Sequence, residues 1–248
     1  KPSEYENLVS YLRKKGKRDN NHYLIIASYQ LQMDAYSRAK QSKKFIDSYY
    51  NFNQLEYIDD FPLQKFNSKM GLAQVYVDER YYDQALHTLE DAKNYILNSK
   101  DKFRAYSVNF KNDNSDDIYY YAFSRLYFTY SQTYERLHNN PLRRKFIRNS
   151  IAAFDKTSEN YKKNKSVIIN IYFIASRIYA QDNITDSANY FYDNGNQLIK
   201  QYNIDINKDV GITLMKEESK INLLINQKKY QEALISTKLL EKEYTKFQ

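Results

Sequence analysis

The side chains able to carry chemistry are few and scattered. Three histidines occur, His22, His87 and His138, and there is no cysteine. Structural and catalytic zinc sites use imidazoles and thiolates at close, paired spacing. No two of these histidines stand in that relation, so they are assigned as surface or packing residues. Carboxylates adjoin at Asp59-Asp60 and Asp116-Asp117. Each pair precedes a helical pattern, where acids complement the positive end of the helix dipole. They are therefore expected to be caps and first-turn acids, not catalytic pairs. A phosphate-cradling loop needs closely spaced glycines, and the chain has only 4 in all. No nucleophile-elbow motif occurs. The expectation is a protein without metal, cofactor or catalytic centre. One dense cationic run remains, Arg143-Arg144-Lys145 with Arg148, in the first turns of the helix opened by Pro141. Cations there oppose the dipole at roughly 0.3–1 kcal/mol each. Two accounts stay open: pairing with acids on a neighbouring helix, or a site for an acidic partner or phosphate.

The elements that must position these residues follow from composition. Hydrophobic residues make up 42%, and 27 Tyr with 13 Phe offer large surfaces to bury. Such a chain can offset its ordering entropy and is not disordered. Multi-stranded folds need many Gly- and Pro-containing turns, so 4 Gly and 3 Pro point to helices. The net charge of +8 is spread over 38 basic and 30 acidic residues and reads as a solvated helical surface. A nucleic-acid binder is the runner-up. It would need cations gathered on one face with aromatics between them, and the sequence shows only scattered clusters. No apolar run approaches the roughly 20 residues that span a bilayer. The chain starts at Lys1 without Met or signal segment and ends in residues that still read as helix, so it is expected to be part of a longer protein. Absence of Cys leaves periplasm and cytoplasm both open.

Ser3-Glu4-Tyr5-Glu6 has the form of a capping box and opens a short helix to about residue 15, followed by a polar break over 14–21. Further helices are expected at 21–36, 39–57, 62–79 and 82–98. Residues 100–117 read as an insertion, partly helix and partly loop. Helix resumes over 118–137, and Asn140-Pro141 caps and opens one running to about 163. The last four are expected at 166–181, 185–202, 209–226 and 230–247. Short polar links force neighbours antiparallel, giving a row of helical hairpins.

The hairpins repeat. Ala85, Leu89, Ala92 and Ile96 stand at intervals of four, three and four, on one helix face. The pattern returns as Ala188, Tyr192, Gly195 and Ile199, and as Ala233, Thr237, Leu240 and Tyr244. Leu72-Ala73 and Tyr76 precede the first set as Ala175-Ser176 and Tyr179 precede the second, and as Ile221 and Leu224 precede the third. This arrangement resembles the tetratricopeptide repeat, most closely over 69–98, where Ala73, Tyr76, Tyr82, Ala85, Leu89 and Ala92 all match. Residues 172–199 and 214–244 match less fully. Residues 127–154 fit only if the link around 139–144 is lengthened, and 21–57 is a degenerate copy without the small residues. The repeats are longer than the family's and lack its closing proline.

The resemblance implies one all-α domain over 1–248, a right-handed α-α superhelix of about five hairpins plus an N-terminal helix. It further implies a concave groove that takes an extended peptide or a partner's helix. The family's groove positions fall on Asn67, Met70, Gln74 and Asp78, on Arg125, Phe128, Gln132 and Arg136, on Asn170, Phe173 and Arg177, and on Met215, Glu218 and Asn222. Amide side chains there can pair with a peptide backbone whatever its sequence, and Arg125 and Arg177 could grip a carboxylate at both oxygens. The Lys/Asn clamp of chaperone-binding members is absent. In organisation the chain also resembles the sensor regions of bacterial transcriptional regulators, which implies signal reception through a protein or peptide partner. Self-association through the last helix is a further expectation, because Leu234, Leu239, Leu240 and Tyr244 present apolar surface there.

Overall fold

A computed structural model describes residues 2–109, 111, 113–163, 166–206 and 208–245, with side chains placed over 5–109, 111, 113–162, 166–206 and 208–241. Among these residues every regular element is helical. The first is α1 (Pro2–Arg18), followed by α2 (His22–Arg38), α3 (Ser42–Asn53), α4 (Pro62–Asp78) and α5 (Tyr82–Asn98). Then come α6 (Lys100–Asn109), α7 (Asp117–Arg136), α8 (Asn140–Phe154) and α9 (Glu159–Lys163). The chain continues through α10 (Ser166–Gln181), α11 (Thr185–Gln201), α12 (Val210–Asn226) and α13 (Tyr230–Thr245). Packing follows chain order: α2/α3, α4/α5, α7/α8, α10/α11 and α12/α13 form hairpins, and each hairpin touches the next. This serial packing is that of an all-α helical repeat protein, with α1 laid against α2.

One local device makes the hairpins. At Asn20, Lys40, Arg80, His138, Asn183 and Lys228 the backbone enters the left-handed region, with φ between 47 and 64°. Each is followed by a residue whose N–H donates five residues back, as in Gln41 to Tyr36 (2.8 Å), Tyr81 to Tyr76 (2.8 Å), Asn139 to Tyr134 (2.9 Å), Ile184 to Tyr179 (2.9 Å) and Lys229 to Leu224 (2.8 Å). This closure satisfies the orphan carbonyls of the helix end and reverses the chain. The next helix is capped where a suitable side chain exists: Asn21 accepts from the Leu24 N–H, Asn139 from Leu142 and Asp209 from Ile212. The cap before Pro141 is thus Asn139, not Asn140.

The repeated turn also fixes the register. Arg80, Asn183 and Lys228 each stand five residues before the alanines Ala85, Ala188 and Ala233. His138 stands five before Arg143, and Lys40 five before Phe45. The α7/α8 hairpin therefore needs no lengthened link: it carries an arginine where its neighbours carry alanine. In α2/α3 the small residue has moved across the interface. A Cβ on Gly71 of α4 would come within 2.7 Å of the Phe45 ring, so the close approach survives with the large and small partners exchanged.

The stripe Ala85, Leu89, Ala92 and Ile96 is fully buried. It belongs to a core running from Phe66 through Leu126, Ile147 and Ile169 to Leu223. A second core, including Ile26, Phe45, Phe52 and Ile58, closes on the opposite side of α4 through Leu72 and Val75. Helix α4 is thus a shared wall, apolar on two faces. Three expectations need correction. Residues 14–18 continue α1 instead of forming a break, and Gly16 is buried with its Cα against Ile25. The helix expected over 39–57 stops at Asn53, and a 3-10 turn at Ile58–Asp60 leads to Pro62. The helix from Pro141 ends at Phe154, because the Asp117 carboxylate captures the Ser158 N–H (2.7 Å) and hydroxyl (2.8 Å). Asp116 and Asp117 stand at the N-cap and in the first turn of α7, as expected, but their side chains form cross-links, the former with Arg104, and Asp116 makes no side-chain cap bond. The capping box at Ser3 lies outside the described side chains, as does Tyr244. On α13, Leu234, Ile235 and Leu239 are exposed, while Leu240 is half-buried.

Candidate functional site

Because α2, α4, α7 and α10 are the first helices of successive hairpins, they present equivalent faces side by side. Between them lies a groove of about 900 Å³, a size usual for ligand sites. Six of the expected positions meet there: Asn67, Met70 and Gln74 from α4, with Arg125, Phe128 and Gln132 from α7. They are joined by Gln30 and Asp34 from α2 and by Val167 and Ile171 from α10. The floor is apolar, made by Met33, Phe45, Met70 and Gly71, and the rim is amide and charged. Beneath Phe45, burial pushes the Tyr49 phenol up to about 12, with Asp91 adding to the effect.

The rim is partly organised already. Arg125 Nη1 donates to Asn67 Oδ1 at 2.6 Å, and its guanidinium lies 6.0 Å from the Tyr121 ring centre. A neutral partner leaves the arginine's charge uncompensated. Gln74 donates to Asp78 at 2.9 Å. Gln30 and Gln132 hold no side-chain partner among the described residues, so their donors and acceptors are open to a ligand.

The other eight expected positions do not line the groove: Asp78, Arg136, Met215 and Glu218 lie outside it, as do Phe173, Asn170, Arg177 and Asn222. Phe173 is fully buried, its ring 2.9 Å from where a Cβ on Gly195 would stand. It is core and cannot line a groove, because Gly195, at the position where α5 has Ala92, leaves room for the ring. Asn170 is half-buried beside Gly211. Arg177 and Asn222 belong to a ladder that ties hairpins together. Arg177 donates to Glu218 at 3.2 Å and lies 3.8 Å from Glu135. Asn222 accepts from Gln181 at 3.3 Å and donates to the Glu218 carbonyl at 2.8 Å. Arg177 is therefore neutralised and does not offer a fork to an incoming carboxylate.

The ladder continues into the cationic run. Arg143, only 7% exposed, donates to Asp182 at 2.9 Å, with Glu135 at 3.4 Å and Gln181 at 3.3 Å. Arg144 pairs with the same Asp182, whose side chain is 4% exposed. Of the two accounts left open by the sequence, pairing with acids is what Arg143 and Arg144 do.

The groove wall from α2 was missed because that hairpin lacks small residues. The signal that finds it is Lys40, which sets Gln30 and Asp34 in the register that Met70 and Gln74 occupy before Arg80. No group of acids and histidines that could hold a metal occurs among the described residues, and no helix of theirs is long and apolar enough to cross a membrane. No protein-family model matches the chain, and no curated protein matches it in sequence. Its fold is similar to that of BtubC (BKLC) from P. vanneervenii, with a TM-score of 0.68 and 12% identity over 99% of this chain and 90% of that one. At that identity the likeness concerns the fold alone.

Proposed function

We propose that this is a non-enzymatic, tetratricopeptide-type scaffold that binds an extended segment of a protein partner in the groove of α2, α4, α7 and α10. The observation that carries the reading is the groove itself: first helices of four successive hairpins contribute to one apolar trough rimmed by Gln30, Gln74 and Gln132. A peptide must have its backbone N–H and C=O groups satisfied when it leaves water, and amide side chains serve both. Arg125 and Asp34, both in the rim, supply opposite charges that would orient the segment. A right-handed coil like that of the tetratricopeptide repeat would align these helices in this way. Signal reception for a bacterial regulator is the role we assign to such an array, supported by the Tyr- and Lys-rich repeat style and the lack of a chaperone clamp.

The test is a peptide-display selection on the intact chain, followed by titration of the selected peptides. Phe128→Asp and Gln132→Ala should weaken binding by about tenfold or more, the worth of one well-made buried contact, while Arg148→Glu outside the groove should not. Selected peptides indifferent to both groove variants would overturn the reading. A gel shift with single-stranded nucleic acid, abolished by salt and untouched by groove variants, would favour the basic surface instead.

A further inference from the structure

A second cavity lies on the other side of α2, lined by α1 and α2. It measures about 570 Å³ and combines apolar wall from Val9, Ala35 and Ala39 with three cations, Arg13, Lys14 and Lys17. Arg13 is the distinctive member. Its Nε donates to Ser28 Oγ at 3.2 Å, its Nη2 donates to Gln32 Oε1 at 2.9 Å, and its guanidinium carbon stands 4.0 Å from the Tyr29 ring centre. Ser28 is itself fully buried and anchored on the Ile25 carbonyl. The guanidinium is thus half-buried, fixed in orientation by three neutral groups, and its Nη1 has no partner among the described residues.

This differs from the arginines of the ladder. Arg143, Arg144 and Arg177 each reach a carboxylate, whereas Arg13, Lys14 and Lys17 reach none among the described residues. The lone acid of the cavity, Glu6, is seven residues from Arg13, about 10 Å along the helix. A held, unpaired guanidinium beside apolar wall is complementary to a carboxylate carrying an apolar body, because the bidentate bond gains strength as the site dries.

We infer that the α1–α2 cavity is a binding site for a small amphipathic carboxylate, with Arg13 taking the carboxylate and the Val9–Ala35–Ala39 wall taking the apolar body. The site is separate from the peptide groove and does not depend on it.

Calorimetric titration of the intact protein with sodium decanoate tests this, with methyl decanoate as the uncharged counterpart. Decanoate should bind, the ester should bind about tenfold more weakly, and Arg13→Gln should lose a similar factor. Ala35→Leu, which fills the cavity and keeps every hydrogen bond of Arg13, should abolish binding and serves as the deciding variant if Arg13→Gln does not fold. Phe128→Asp in the groove should leave decanoate binding unchanged. No binding by the wild type, equal binding of acid and ester, or an Ala35→Leu protein that binds as well as wild type would each overturn the assignment.

Discussion

By repeat logic Arg143 is the wrong residue. It holds the position that Ala85, Ala188 and Ala233 hold in three other hairpins, so Arg143→Ala restores the repeat pattern and is the change that pattern alone recommends. The structure requires the reverse. Arg143 is 7% exposed and faces Asp182, 4% exposed, at 2.9 Å, with Glu135 also within reach at 3.4 Å. Removing one partner of a buried pair costs about 3–5 kcal/mol, chiefly because the other charge is left without compensation. Arg144 still pairs with Asp182, which places the loss near the lower end, about 3 kcal/mol. For a chain of this length that corresponds to a fall of roughly 6–12 °C in the thermal midpoint. The assay is thermal and urea unfolding of Arg143→Ala, Asp182→Asn and the double variant. The double variant should lose less than the sum of the singles, because removing both charges leaves no buried orphan. An Arg143→Ala protein as stable as wild type, or strictly additive losses, would refute the reasoning.

Other expectations follow from the same contacts. Gly71→Ala would place a Cβ 2.7 Å from the Phe45 ring; overpacking costs about 1–3 kcal/mol and the helix-propensity gain returns about 1, so a net loss is expected in urea melts, relieved when Phe45→Leu is added. Hydrogen bonds from Arg104 and Lys65 hold the carboxyls of Asp116 and Asp59 below their usual range, and the Tyr202 hydroxyl with Lys162 does so for Glu159. A carboxyl depressed in the folded state contributes stability present above its unfolded value, about 3.9–4.3, and lost as pH falls through the folded one. The urea midpoint should therefore hold from neutrality and drop below about pH 4, and Arg104→Gln should shrink that drop. At the other extreme, burial pushes the phenols of Tyr49 and Tyr95 up to about 12. Their contribution is intact below the unfolded value of about 10 and is lost as pH rises from there through 12. A late tyrosinate absorbance phase should coincide with loss of helical circular dichroism, and Tyr49→Phe should diminish it; a late phase with helix fully retained would count against this.

Much of the helical order could be read from the residues, because amphipathic stripes such as Ala85–Ile96 declare themselves in one dimension. The α5 and α10 bounds agree with the spacing to the residue. What could not be read depended on partners distant in sequence. Phe173 looks like a groove residue until Gly195, twenty-two positions later, supplies the hollow that takes its ring. Arg177 and Asn222 carry the right chemistry for a ligand, but Glu218 and Gln181 claim them first. The α2 wall of the groove was hidden for a related reason, since Phe45 and Gly71 exchange the sizes that the pattern assigns. The contact that hides Phe173 crosses its own hairpin, and those that claim Arg177, Asn222 and Phe45 run between hairpins.

The turns that join the helices hold a reserve. Among the left-handed positions, Lys40, Arg80, His138 and Lys228 are filled by side chains that pay sterically to be there, at roughly 1 kcal/mol each relative to glycine. All four sit in interhelical links, away from the trough formed by α2, α4, α7 and α10. The array can therefore be toughened turn by turn, by glycine replacement in its links, without altering the residues that line this trough. Durability and the shape of the proposed groove are adjustable independently in this chain.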